Sequence, residues 1–139
     1  MSPLANAPLF YDATVVASVN AVTALLNNGY LNIYTGSQPS LDGSITGTLL
    51  VSLTFGATAF AGATAAAGTV TASANAITNG TAGNTGTAGY FAILKSDDST
   101  VVATGSVGTS GADLNLSTLS IVSGAVVSCS SFTITQAQN

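Results

Sequence analysis

The stretch Leu49-Leu50-Val51-Ser52-Leu53-Thr54-Phe55 decides the fold class. Leu49, Val51, Leu53 and Phe55 alternate with Leu50, Ser52 and Thr54, the period of two that marks a half-buried β-strand. Upstream, Tyr30-Leu31-Asn32-Ile33-Tyr34-Thr35 is strongly β-prone and stops at Gly36. Residues 37–47, with Pro39, Gly43 and Gly47, form the loop between these two strands. Downstream, residues 69–77 alternate more weakly around Val70. Residues 79–89 place Gly80, Gly83, Gly86 and Gly89 at three-residue steps; the run is too short and too poor in proline for a collagen reading, so it is a flexible or tightly turned loop. Residues 90–94 and 100–107 flank Lys95-Ser96-Asp97-Asp98-Ser99, and aspartates favour turns by accepting bonds from their own backbone, which predicts a hairpin. Residues 114–122 and 126–135 are the last strands, separated at Ser123-Gly124. In the last one Val126, Phe132 and Ile134 share one parity and Val127 and Cys129 the other, which predicts a bulge or a strand covered on both faces.

About seven short strands spaced by turn signals predict a mainly β fold. The expected architecture is an antiparallel β-sandwich or jelly-roll-like barrel over residues 30–139, preceded by one α-helix. That helix spans residues 12–28. Asp12 is its expected N-cap, Val15, Val19, Val22 and Leu26 form one apolar stripe with Val16 and Leu25 beside it, and Asn27-Asn28-Gly29 ends it with Gly29 as the left-handed residue. Residues 1–11 carry Pro3 and Pro8 among the apolar Leu4, Leu9, Phe10 and Tyr11, which excludes a regular helix and leaves an extended arm. Such an arm either docks on a neighbouring subunit or packs on its own domain.

Composition narrows the function. Of 139 residues only Asp12, Asp42, Asp97, Asp98, Asp113 and Lys95 are charged, 4% of the chain against roughly 25% in an ordinary soluble domain. There is no Arg, Glu, His or Trp. One lysine cannot supply the basic footprint that a nucleic-acid binder needs. General acid–base and nucleophilic catalysis draw on groups that are mostly missing, so no enzyme is expected. No cofactor is expected, nor a transition-metal site, which wants His and Cys. The chain is still a folding one: 36 residues are Leu, Ile, Val or Phe, above the ~20% level below which chains stay disordered. Mean hydropathy is +0.55, but it comes largely from alanine, and no window approaches ~18 strongly apolar residues, so no membrane span is expected. The first residues lack the basic n-region of an export signal, and Cys129, the single cysteine, has no partner within the chain. A surface of Ser, Thr, Asn, Gly and Ala costs little to desolvate and suits lasting contact with other subunits, since charge is depleted from interface cores; the competing reading is a monomer with a neutral polar coat.

Few residues offer chemistry. Asp97 and Asp98, with Ser96 and Ser99, are candidate calcium ligands, although calcium wants six to eight oxygens and two adjacent aspartates suit a solvated turn. Asp42 and Asp113 are loop acids of the same kind. Seventeen serines lack a base beyond Lys95 or an Asp, with neither a Ser-x-x-Lys spacing nor a Gly-x-Ser-x-Gly elbow. Cys129 reads as a small buried residue. Asn79-Gly80-Thr81 and Asn115-Leu116-Ser117 match glycosylation sequons by chance in so polar a chain. The threonines lack the constant period of an ice- or sugar-binding array.

Five segments taken in order carry a resemblance: Asn32-Ile33-Tyr34-Thr35-Gly36-Ser37-Gln38-Pro39, Leu49-Leu50-Val51-Ser52-Leu53-Thr54-Phe55, Gly86-Thr87-Ala88-Gly89-Tyr90-Phe91, Gly105-Ser106-Val107-Gly108-Thr109-Ser110-Gly111-Ala112-Asp113-Leu114 and Ser131-Phe132-Thr133-Ile134-Thr135. Over residues 30–135 the chain resembles a family of small structural proteins of tailed bacteriophages and prophages, some similar to the head decoration (cement) proteins of cyanophage-like capsids. The resemblance implies a virion structural protein on the outer face of the capsid, bound to the major capsid protein and assembled as a homo-oligomer, a trimer first. It brings no catalytic residues. The arm is the expected contact element, with Leu4, Leu9, Phe10 and Tyr11 as candidate anchors. The alternatives are a tail- or fibre-associated component and a host- or carbohydrate-binding module.

Overall fold

The structure, a computed structural model, describes residues 9–138. It is mainly β with one N-terminal helix, and its curled sheets fit the sandwich or barrel-like architecture that the alternating patterns predict. The helix is α1 (Asp12–Ala24). The strands are β1 (Tyr30–Tyr34), β2 (Leu49–Thr54), β3 (Thr64–Ala66), β4 (Thr69–Ser73), β5 (Gly80–Thr81), β6 (Gly86–Thr87), β7 (Tyr90–Leu94), β8 (Val101–Gly108), β9 (Leu114–Asn115), β10 (Ser120–Ile121), β11 (Val126–Val127) and β12 (Thr133–Ala137). A five-stranded sheet runs β2-β1-β7-β8-β9, and a three-stranded sheet runs β12-β4-β3. Two small ladders, β10-β6 and β11-β5, join the remaining pieces.

The inner face of the five-stranded sheet supplies Leu31, Ile33, Val51, Leu53, Phe91 and Ile93 to the core. Val70 and Ala72 of β4 and Val15 and Val19 of α1 meet them there. Four phenylalanines fill the centre: the Phe132 ring stands perpendicular to Phe91 at 5.3 Å and also contacts Phe60 (6.1 Å) and Phe55 (6.5 Å). The middle of the sheet's outer face is buried too. Tyr34 and Tyr90 stack at 5.2 Å beside Ala92, Leu94 and Ile45. The 37–47 loop folds over them, and the Tyr90 hydroxyl donates to the Thr46 carbonyl and accepts the Thr46 N–H. Being covered on both sides, β7 is apolar throughout rather than alternating.

The alternation in β2 breaks at one point. Ile33 faces Val51 while Tyr34 faces Leu49, so Leu50 is an extra, bulged residue. The bulge turns Leu50 into the core and leaves Leu49 exposed.

Several expectations are corrected. The helix ends at Ala24, and its N-cap is Tyr11 with no side-chain cap; Asp12 is the first helical residue instead. Its carboxylate still lies at the positive end of the helix dipole and accepts a bond from the Gln138 amide. The left-handed residue after the helix is Asn28 (φ 58°), not Gly29; Gly29 is required because a Cβ there would strike the Leu94 carbonyl oxygen. Strand β3 escapes the sequence reading because alanine is depleted in strands and because its two-residue turn is Ala67-Gly68, both at positive φ, without the usual Asn or Asp. The two final strands are four fragments, each with a different partner: β9 with β8, β10 with β6, β11 with β5 and β12 with β4. The mixed parity of residues 126–135 thus marks an interrupted strand rather than a bulged one.

The glycine-rich 79–89 segment is not a free loop. It threads against β1 and β2, and the glycines allow the approach: a Cβ at Gly80 would strike the Ser52 carbonyl and one at Gly89 the Gly36 carbonyl. Gly89→Ala should therefore cost about 2–3 kcal/mol through overpacking. Gly62→Ala, in open space, should stay within about 0.5 kcal/mol of the parent. Urea denaturation of the two variants measures the contrast.

Candidate functional site

Two polar side chains of α1, Asn20 and Thr23, and Asn27 just past it are tied down by hydrogen bonds, whereas Thr14 and Ser18 are exposed. Asn20 Oδ1 accepts the Ala63 N–H (3.0 Å), and just past the helix Asn27 Oδ1 accepts the Ala59 N–H (2.9 Å). Thr23, buried, donates to the Asn20 carbonyl (3.2 Å). The two asparagine bonds satisfy backbone donors of the 56–63 loop and tie the helix to it, whereas the Thr23 bond stays within the helix. Val15, Val19 and Leu26 then face the core, while Val22 and Leu25 are left exposed together with Ala13, Ala17, Ala21 and Ala24. A surface helix usually shows charge on its outer face; here no charge follows Asp12. The expectation that Val22 and Leu25 belong to the buried stripe is corrected, because Thr23 takes the inward place after Val19.

Leu9, Phe10 and Tyr11 continue this surface. They are 75%, 51% and 83% exposed, yet they are held in place. The Phe10 N–H donates to the Gln138 carbonyl (3.4 Å), and the Gln138 amide donates to the Phe10 carbonyl (3.3 Å) and to Asp12. The predicted anchors Leu9, Phe10 and Tyr11 are thereby brought to one exposed strip at the junction of α1 and β12; the fourth, Leu4, lies outside the described residues. Beside the strip is a groove of about 320 Å³ lined by Phe10, Thr14, Val15, Ser18, Gln136 and Ala137. The sequence reading missed the groove and the outer face of α1. The run of alanines at positions 13, 17, 21 and 24 was the available signal, since these recur at helical spacing without one charged residue.

Apart from Asp12, no charged residue belongs to this strip. Asp42 lies in the β1–β2 loop, Lys95, Asp97 and Asp98 in the β7–β8 turn, and Asp113 in the β8–β9 loop, all connections of the five-stranded sheet. The two candidate calcium ligands go to different partners. Asp97 accepts the Ser99 and Thr100 N–H groups (3.0 and 2.9 Å) and the Thr100 hydroxyl (2.6 Å). The Thr100 and Ser99 bonds hold its carboxyl well below the usual carboxylate range. Asp98, left-handed at φ 54°, accepts from the buried Asn32 amide (3.1 Å), which also donates to the Tyr34 hydroxyl (3.3 Å) and accepts from Ser52 (2.5 Å). Burial pushes the Tyr34 phenol up. Asp113 and Ser106 bond each other through side chain and backbone; this pins the β8–β9 loop. Among the described residues no three His, Cys, Asp or Glu side chains gather, and no helix is long and apolar enough to cross a membrane. Cys129 is buried, burial raises its thiol pKa, and it donates to the Ser131 carbonyl (3.3 Å).

Comparison with family models, with curated proteins and with solved structures returns no match.

Two outcomes follow from this geometry. Val22→Ser with Leu25→Ser should leave stability within about 0.5 kcal/mol per site and reduce binding of a hydrophobic dye to the folded chain. Asp97→Ala should lower the melting temperature at neutral pH. Because the folded carboxyl ionises below its unfolded value near ~4, its contribution is present above that pH and is lost as pH falls below it. The melting-temperature gap between parent and variant should therefore narrow in acid, and a gap constant with pH would refute the turn-holding role.

Proposed function

We propose that this chain is a structural subunit of a virus particle, and specifically a capsid decoration protein seated on the outer face of a tailed-phage head. The observation that carries the reading is the exposed, uncharged surface formed by Leu9, Phe10, Tyr11 and the outer face of α1, in a chain with six charges in total. Such a surface costs little to desolvate and gains apolar burial when covered, at about 25 cal/mol per Å² removed from water. The pinning of residues 10 and 12 by Gln138 means that little ordering is needed before contact. On a head, the role is mechanical: the subunit bridges copies of the major capsid protein and stabilises the assembled shell by binding it and not its dissociated parts. No residue has to do chemistry, and Asp97, Asp98 and Asp113 are engaged by hydrogen bonds in or beside turns. The resemblance over residues 30–135 is what specifies a phage head, a trimer and the outer capsid face within the wider class of packed subunits.

Purified chain added to isolated heads that lack it should co-sediment with them and raise their resistance to heat or chelator. Removing residues 1–11 should weaken that binding. A reconstruction of the source particle that places the chain in the tail would transfer the role to a tail component. Measurable glycan affinity without head binding would favour the host-binding alternative.

A further inference from the structure

We propose that the groove between the open edge of β8 and residues 38–43 is a docking site for an extended peptide segment of another protein, one that carries lysine or arginine, and that it holds the segment by strand addition. This face is distinct from the uncharged strip, and the inference does not rest on the decoration reading.

The edge comes first. β8 is eight residues long, but β9 pairs with it only at Val107 and Gly108. Its earlier residues pair with β7 on one side alone. In an antiparallel ladder alternate residues turn their N–H and C=O away from the partner strand. The Ser106 N–H goes to Asp113 and not to β7. That sets the phase, so Thr104, two residues earlier, also turns its backbone groups outward. Among the described residues no backbone bond outside the β7 ladder reaches Val101, Val102, Ala103 or Thr104. Such an edge is a template for a further strand unless something covers it.

Residues 38–43 stand beside this edge without closing it. The Gln38 amide donates to the Thr104 hydroxyl (3.1 Å), and between loop and strand lies a groove of about 600 Å³. That is well within the range of ligand sites, roughly 300–1,000 Å³. One wall offers backbone groups of β8; the other offers Pro39, Ser40, Leu41 and Asp42. Strand addition uses this pairing of backbone bonds for affinity with side-chain contacts for selection.

Charge then selects the occupant. Asp42, at φ 59°, is exposed on the groove wall and has no hydrogen-bond partner among the described residues. The other four aspartates are held by Gln138, Thr100, Asn32 and Ser106. A cation on the bound segment is attracted to Asp42, and an anion is repelled. A second copy fits poorly. The chain carries −4, and its one lysine, Lys95, lies in the turn that leads into β8 itself. Two copies meeting here bring like charges together. Residues 1–8 contain no lysine or arginine, and the chain that follows them is bonded to β12, in the other sheet.

The test uses the full chain, isotope-labelled for amide resonances, and capped octapeptides of alternating valine and threonine with one lysine or one glutamate. At low salt the lysine peptide should shift the Val101–Thr104 amides and bind at least ~10-fold more tightly than the glutamate peptide. Asp42→Asn, which tolerates the positive φ, should erase that preference. Thr104→Pro removes an outward N–H that the β7 ladder does not use, as proline on an edge allows. It should weaken the lysine peptide at least ~10-fold, with circular dichroism confirming the fold; if that variant does not fold, Asp42→Asn decides. Three results overturn the inference: no shift at Val101–Thr104 with either peptide, shifts confined to α1 and β12, or equal binding of the two peptides. Val101–Thr104 amides that move with protein concentration alone put a second copy in the groove and overturn it as well.

Discussion

Phe132 closes the fold. It arrives late in the chain, just before β12, and its ring meets Phe91 from the five-stranded sheet, Phe55 from the end of β2 and Phe60 from the loop that follows. Edge-to-face aromatic pairs contribute about 0.5–1.5 kcal/mol each beyond their buried area. More important is their reach: this one side chain ties the five-stranded sheet to the segment that leads into β12, an edge strand of the three-stranded sheet. The Phe132 carbonyl also accepts the Ala74 N–H (2.8 Å), so β12 enters its sheet already aligned with β4. The three-stranded sheet placed in this way is what α1 packs on, chiefly through β4, and β12 forms the far wall of the groove beside the helix.

The second constraint is the near absence of charge. A chain without arginine or glutamate has few long polar side chains to satisfy backbone groups in loops, and asparagine does that work instead. Asn20 and Asn27 bond loop amides next to α1, Asn32 anchors the β7–β8 turn through Asp98, and Asn84 donates to the Leu49 carbonyl (2.9 Å). Because Asn20 is committed to the 56–63 loop and Thr23 is buried, the exposed face of α1 after Asp12 is left to alanine, Val22, Thr14 and Ser18. The exposed apolar strip is thus a consequence of how the interior was satisfied.

Much of this was legible in the residues. β1, β2, β7 and β8 stand where alternation and turn chemistry put them, and the β7–β8 turn follows from Asp97 accepting the amides just after it. Leu9, Phe10 and Tyr11 were recognisable as an apolar terminus. Other features were hidden because they depend on contacts distant in sequence. Nothing local says that Val22 faces out and Thr23 in, since the choice is made by loop residues 59 and 63. Nothing local divides residues 114–137 into four fragments, since each break is set by which earlier strand lies alongside.

Taken by itself, the sequence determined the fold class, the single N-terminal helix and the poverty of chemistry, because periodicity, propensity and residue type are local properties. The tertiary structure alone decided where the surface is. It buried Tyr34 and Tyr90, in the middle of the outer face of the five-stranded sheet, under the 37–47 loop and gathered the acidic turns on the connections of that sheet. It left an uncharged groove between α1 and β12, because burial is settled by packing between segments far apart in the chain.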